Sequence, residues 1–106
     1  MRDLYHTPWS DEVELITFAD NQDAEGYGVE PAQRRTLYCN WEEGVSQNEF
    51  YLSNKQGLQA TDSVELQRVD YEGERFAEYQ GRRYRVIRSF PASYDTVTLI
   101  LSEVVR

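Results

Sequence analysis

Apolar and polar residues alternate with a period of two along most of this chain, the spacing that puts every second side chain on one face of a β-strand. Near the N-terminus Val13, Leu15, Thr17 and Ala19 interleave with Glu14, Ile16 and Phe18, which predicts a strand partly covered on both faces. The run Asp20-Asn21-Gln22-Asp23-Ala24-Glu25-Gly26-Tyr27-Gly28 interrupts the pattern with turn-forming and acidic residues. A second strand is predicted from about Arg35 to Glu42, after Pro31 and before Gly44. Val64, Leu66 and Arg68 alternate with Glu65 and Gln67 and predict a third, passing through Val69-Asp70-Tyr71 to a turn at Glu72-Gly73-Glu74. Phe76 to Tyr79 and Arg82 to Phe90 read as a hairpin across Gln80-Gly81, with Pro91 ending the pair. The most regular strand is the last, where Val97, Leu99 and Leu101 alternate with Thr98, Ile100 and Ser102 and the pattern continues to Val105.

Between Val45 and Thr61 the alternation disappears. Phe50, Tyr51, Leu52 and Leu58 are the only large apolar groups after Val45, and beyond one helical turn near Glu49 to Asn54 no face is sustained. Ordering backbone costs about 1–2 kcal/mol per residue, and so few apolar anchors predict a long loop over residues 46–61, mobile in the free protein. Long connections inside compact domains are uncommon and usually functional. The expected fold is all-β: a small antiparallel β-barrel or sandwich of five to six strands, with one long loop and at most one or two short helices. A single domain spans residues 1–106, with 1–12 as an extended N-terminal segment. Its core is expected to contain Leu15, Leu37, Leu66, Phe76, Val86, Leu99 and Leu101.

Composition narrows the function classes. The 106 residues are 28% charged and 40% hydrophobic, with eight Tyr, four Phe and two Trp, an aromatic content that suits half-buried pleated surfaces and protein interfaces. Nineteen acidic residues against eleven basic ones give a net charge of −8. Proteins that gain affinity by neutralising phosphates need the opposite balance, so tight binding to nucleic acid or an anionic membrane is disfavoured. No apolar run approaches the length that spans a bilayer, and no secretory leader is apparent.

Catalytic and metal-binding motifs fail on inspection. The lone cysteine, Cys39, lies in the strand-forming run Thr36-Leu37-Tyr38-Cys39-Asn40-Trp41 and reads as a small packed thiol. The single histidine, His6, sits in the extended N-terminal stretch, leaving no base for a nucleophile and too few ligands for zinc. Asn21, Asp23, Glu25 and Gly26 match the opening of a calcium loop, but Ala32 occupies the position of the closing bidentate glutamate. Asp70, Glu72 and Glu74 flank Gly73 and read as a solvated hairpin end rather than a general acid–base pair. Neither a cofactor nor a metal is expected, and no residue is assigned a catalytic role. Arg82, Arg83, Arg85 and Arg88 stand beside aromatics and form a candidate interface. They could stack on nucleic acid, although the acidic balance favours outward arginines that pair with carboxylates or reach an acidic partner.

Several of these segments, taken in order, resemble the head–tail adaptor or head-closure family of siphophages. The likeness begins at Asp23-Ala24-Glu25-Gly26-Tyr27 and Arg35-Thr36-Leu37-Tyr38-Cys39-Asn40-Trp41, and is most specific at Gln47-Asn48-Glu49-Phe50-Tyr51 followed by Gly57-Leu58. It continues through Asp70-Tyr71-Glu72-Gly73-Glu74 and Tyr79-Gln80-Gly81-Arg82-Arg83-Tyr84-Arg85-Val86-Ile87-Arg88 to the strand from Val97 to Glu103. Coverage is roughly residues 11–105. The resemblance implies a non-enzymatic virion protein, assembled in the host cytoplasm as a homo-oligomeric ring beneath the portal and its adaptor. Such a ring closes the DNA channel after packaging, touches packaged DNA only transiently, and docks a tail-completion or tail protein. By the same resemblance, the segment Ser46-Gln47-Asn48-Glu49-Phe50-Tyr51-Leu52-Ser53-Asn54-Lys55-Gln56-Gly57-Leu58 is the channel-closing loop. The alternatives are a tail-completion or tail-terminator component of the same connector, or an unrelated β-barrel protein-binding module.

Overall fold

The computed structural model describes residues 9–18, 31–55, 57 and 59–104. Six strands, β1 (Asp11–Thr17), β2 (Gln33–Glu43), β3 (Asp62–Gln67), β4 (Phe76–Tyr79), β5 (Arg82–Pro91) and β6 (Thr96–Glu103), close into one antiparallel barrel in the order β1-β2-β3-β6-β5-β4. Chain neighbours are also sheet neighbours, except that β3 reaches β4 by crossing one end of the barrel. The seam that closes it is short: β1 and β4 meet only at Glu14↔Glu78, Leu15↔Ala77 and Ile16↔Phe76.

The alternation has the consequence it predicts. Val13, Leu15, Cys39, Trp41, Val64, Leu66, Ala77, Tyr84, Val97, Leu99 and Leu101 point inward from all six strands and form the core. Burying each leucine contributes about 1.5–3 kcal/mol. Of the expected core, Leu37 and Val86 are partly buried and pack against its edge, while Phe76 is buried in a second cluster. That cluster, Ile16, Phe18 and Phe76, lies on the opposite face of the β1–β4 seam, with the Phe18 and Phe76 rings edge to face at 5.1 Å. The β4–β5 hairpin turns through Gln80 (φ 51°) and Gly81 (φ 80°), the paired positive angles of the two-residue turn that matches strand twist.

Four expectations are corrected. Residues Gln47–Lys55 form a nine-residue helix, α1, where the pattern predicted an irregular loop. The two residues α1 buries, Glu49 and Ser53, are polar, so no apolar face marks it in the sequence. Val69-Asp70-Tyr71 does not extend β3, since Arg68–Asp70 is a single 3-10 turn held where the Arg68 N–H donates to the Asp95 carbonyl. Glu72-Gly73-Glu74 belongs to the crossing between β3 and β4 rather than to a hairpin, and β5 runs through Pro91 instead of stopping before it. The predicted positions Ala19 and Val105, the acidic run 20–28, His6, Gln56 and Leu58 lie outside the described residues.

Candidate functional site

α1 is a discrete appendage in the β2–β3 connection, and local chemistry explains both its ends. The Ser46 hydroxyl accepts the Glu49 N–H at 3.1 Å and the Ser46 carbonyl accepts the Phe50 N–H at 2.9 Å, closing the first turn. Past the helix, Gly57 takes φ 78° and its N–H donates to the Asn54 carbonyl at 3.0 Å, a left-handed stop that favours glycine. Both signals were present in the sequence as Ser46-Gln47-Asn48-Glu49, which has capping-box spacing, and as Gly57.

A bulge in β5 supplies the anchor. Strand register passes from Val86↔Leu101 to Arg88↔Ile100, so Ile87 is an extra residue. Alternation from the inward Tyr84 and Val86 would drive Arg88 into the apolar interior, and the bulge turns it outward instead. There its Nε donates to Glu49 Oε2 at 3.0 Å while Nη2 stands 2.6 Å from Oε1. Oε1 is buried and has no aligned hydrogen bond, so its contact with Arg88 is one of charge. The Ser53 hydroxyl accepts the Ala60 N–H at 3.3 Å, tying the helix to the end of its own connection, while Phe50 and Tyr51 face solvent. Of the predicted channel loop, therefore, Glu49 and Ser53 are buried, Glu49 against β5, and the aromatics face out.

The predicted interface arginines are engaged within the chain. Arg83 grips Glu78 through Nε at 2.9 Å and Nη2 at 2.6 Å, and lies over the Phe18 ring. Arg85 covers Phe76 and Arg88 covers Phe90, in the geometry of cation–π contacts. Arg82, the most exposed, stands 3.9 Å from Glu103. Arg83 and Arg88 meet carboxylates closely and Arg82 at longer range, while Arg85 lies over a ring, which favours the structural reading of these residues.

Charge also bridges the seam. Glu14 and Glu78 are direct cross-strand partners, and like charges so placed repel. Arg34 on β2 donates to both, at 3.2 and 2.6 Å, and Arg83 on β5 holds Glu78 from the far side. Burial pulls the Glu78 carboxyl upward, but hydrogen bonds and charge from Arg34 and Arg83 outweigh it and hold the group below its ordinary value. At the crossing, Arg35 Nε donates to Glu74 Oε2 at 2.7 Å and Nη2 donates to the Asp70 carbonyl at 2.6 Å. The Glu74 hydrogen bond raises the Arg35 pKa, outweighing burial. Glu74 is thus a paired, largely buried carboxylate, not the solvated charge expected from the sequence. Arg35 accounts for the difference.

At the barrel end next to α1, Trp41 and Tyr79 stack at 3.9 Å with Tyr84 edge-on to Trp41. A polar cleft of about 400 Å³ opens there beside Glu43, Asp62 and Arg82. Asp62 accepts the Trp41 indole N–H and Asp11 accepts the Tyr79 hydroxyl, so the aromatic polar tips are satisfied from within. Burial pushes Tyr79 up to about 12, with Asp11 adding to the shift. Burial likewise pushes the Cys39 thiol up to about 12, keeping it protonated and poorly nucleophilic near neutrality. Among the described residues no three His, Cys, Asp or Glu side chains gather closely enough to hold a metal ion. No protein-family model matches the chain, and comparison with curated proteins finds no relative.

Proposed function

We propose that this chain is a structural component of a tailed-phage head–tail connector, a head-closure protein that forms a ring under the portal-bound adaptor. The ring closes the DNA channel after packaging and offers a docking surface to the tail. The observation that carries this reading is the joining of a closed barrel to one separate appendage. The segment of strongest family resemblance, Gln47-Asn48-Glu49-Phe50-Tyr51, is the α1 appendage, and its aromatics are exposed rather than used in the core. A ring multiplies such an element by symmetry, so identical copies converge on one axis. The net charge of −8 supports a conduit role, because acidic walls repel the DNA backbone.

The test mixes the purified chain with DNA-filled, tailless heads carrying portal and adaptor. The expected result is a ring on the portal vertex, seen by electron microscopy, with DNA retained through a nuclease challenge. Deleting Leu52 to Gln56 should leave docking intact and abolish retention. Binding to isolated tails but not to heads would overturn the head-closure reading in favour of a tail component.

A further inference from the structure

α1 inverts the usual arrangement of a surface helix, which buries an apolar stripe and exposes polar groups. Its buried residues are a carboxylate and a hydroxyl, Glu49 and Ser53, while Phe50 and Tyr51 face outward. Nine residues are too few to stay helical in water unaided, so the helix persists only through what it touches. Its charged anchor is Arg88, whose side chain is 52% exposed and within reach of solvent. Beneath this contact Ile100, the register partner of Arg88, alternates with the inward Leu99 and Leu101 and so points out of the barrel, yet is only 3% exposed. The element fastened beside it is α1. None of the residues that fill the barrel interior comes from α1.

We propose that the Glu49–Arg88 pair is a latch. Closed, it holds α1 as a helix against the outer face of β5 and β6. Open, it releases α1 (Gln47–Lys55) from the barrel, uncovers Ile100 and leaves the six strands in place. The bulge at Ile87 is part of the device, because without it Arg88 would point inward and the carboxylate would have no partner. The latch belongs to the isolated chain and does not depend on the assembly proposed above.

Hydrogen exchange on the full chain, resolved by peptide, tests it. Wild-type amides of α1 should be protected, and Arg88→Gln should speed their exchange about tenfold or more, the change expected when a charged hydrogen-bond partner is removed. Protection in β3, β5 and β6 should stay as in wild type. Arg88→Lys, which keeps charge but loses the planar fork, should fall between the two. High salt should speed α1 exchange in wild type and not in Arg88→Gln, since screening weakens a half-exposed pair. Should Arg88→Gln not fold, Glu49→Gln takes its place with the same expectation. Unchanged α1 exchange in the variant, strand amides loosening in step with α1, or an unprotected α1 in wild type would each overturn the latch.

Discussion

Inside the barrel, apolar side chains from all six strands pack together, whereas α1 is fastened to the outside of the same barrel through the carboxylate of Glu49. The first kind of contact is non-directional and grows with the area removed from water. The second depends on geometry and contributes little net free energy once lost hydration is counted. One molecule therefore carries a cooperative unit and an element able to open without it, as local unfolding is known to do in other folds. The difference can be broken or sharpened by perturbing each side in turn.

The largest effect should come from the interior. Leu99→Ala removes a fully buried side chain between strands and should lower unfolding free energy by about 2–5 kcal/mol in a denaturant titration. A loss under 1 kcal/mol would mean the barrel is not the cooperative unit. Next is the alkaline limb. Burial raises the folded-state values of Cys39 and Tyr79 to about 12, above their ordinary values of 9.0 and 10.0. The stability they contribute is thus complete below about pH 9 and is lost as pH rises to 12. Cys39→Ala should flatten this fall in thermal melts from pH 8 to 12, and an unaltered slope would show the thiol titrating normally.

A smaller effect is expected on the acid side. Glu78 is held below its ordinary value by Arg34 and Arg83, so its contribution is present above the unfolded-state value and is lost as pH falls through the folded one. Glu78→Gln should give a shallower acid limb than wild type, read by the same melts. The smallest effect belongs to the appendage: Phe50→Ser and Tyr51→Ser, at exposed positions, should each change barrel stability by no more than about 0.5 kcal/mol. A loss of 2 kcal/mol from either would place those aromatics in the cooperative unit and erase the distinction between the two regions.

The same distinction decides what could be read from the sequence. Strands that bury one face write that face into the sequence, which is why the hairpin at Gln80-Gly81 and the alternation around Leu99 are found where the pattern puts them. α1 buries polar atoms, so hydrophobic periodicity is blind to it, and only its end signals at Ser46, Glu49 and Gly57 announce it. Arg88 hides for a different reason. Its direction is set by a bulge, and nothing in a period of two tells where one residue will be skipped. Glu74 read as solvated because its partner Arg35 lies far away in sequence on β2, a contact that exists only after the crossing has formed. The outer cluster of Ile16, Phe18 and Phe76 was half legible, since β1 carries apolar residues on both faces.

The charge bridge over the β1–β4 seam also has a kinetic meaning. The hairpins β1–β2, β4–β5 and β5–β6 join neighbours in the chain and can form early, while the seam must bring together segments far apart in sequence for only three paired positions. Loop-closure entropy makes such a step slow. It also begins with Glu14 approaching Glu78, a repulsion that eases only when Arg34 arrives on β2 and Arg83 on β5. Both flanking hairpins must therefore be in place before closure becomes favourable. The bridge favours a ring of strands that shuts last, once Arg83 already holds Glu78 within its own hairpin and Arg34 on β2 is placed to meet Glu78 from across the seam.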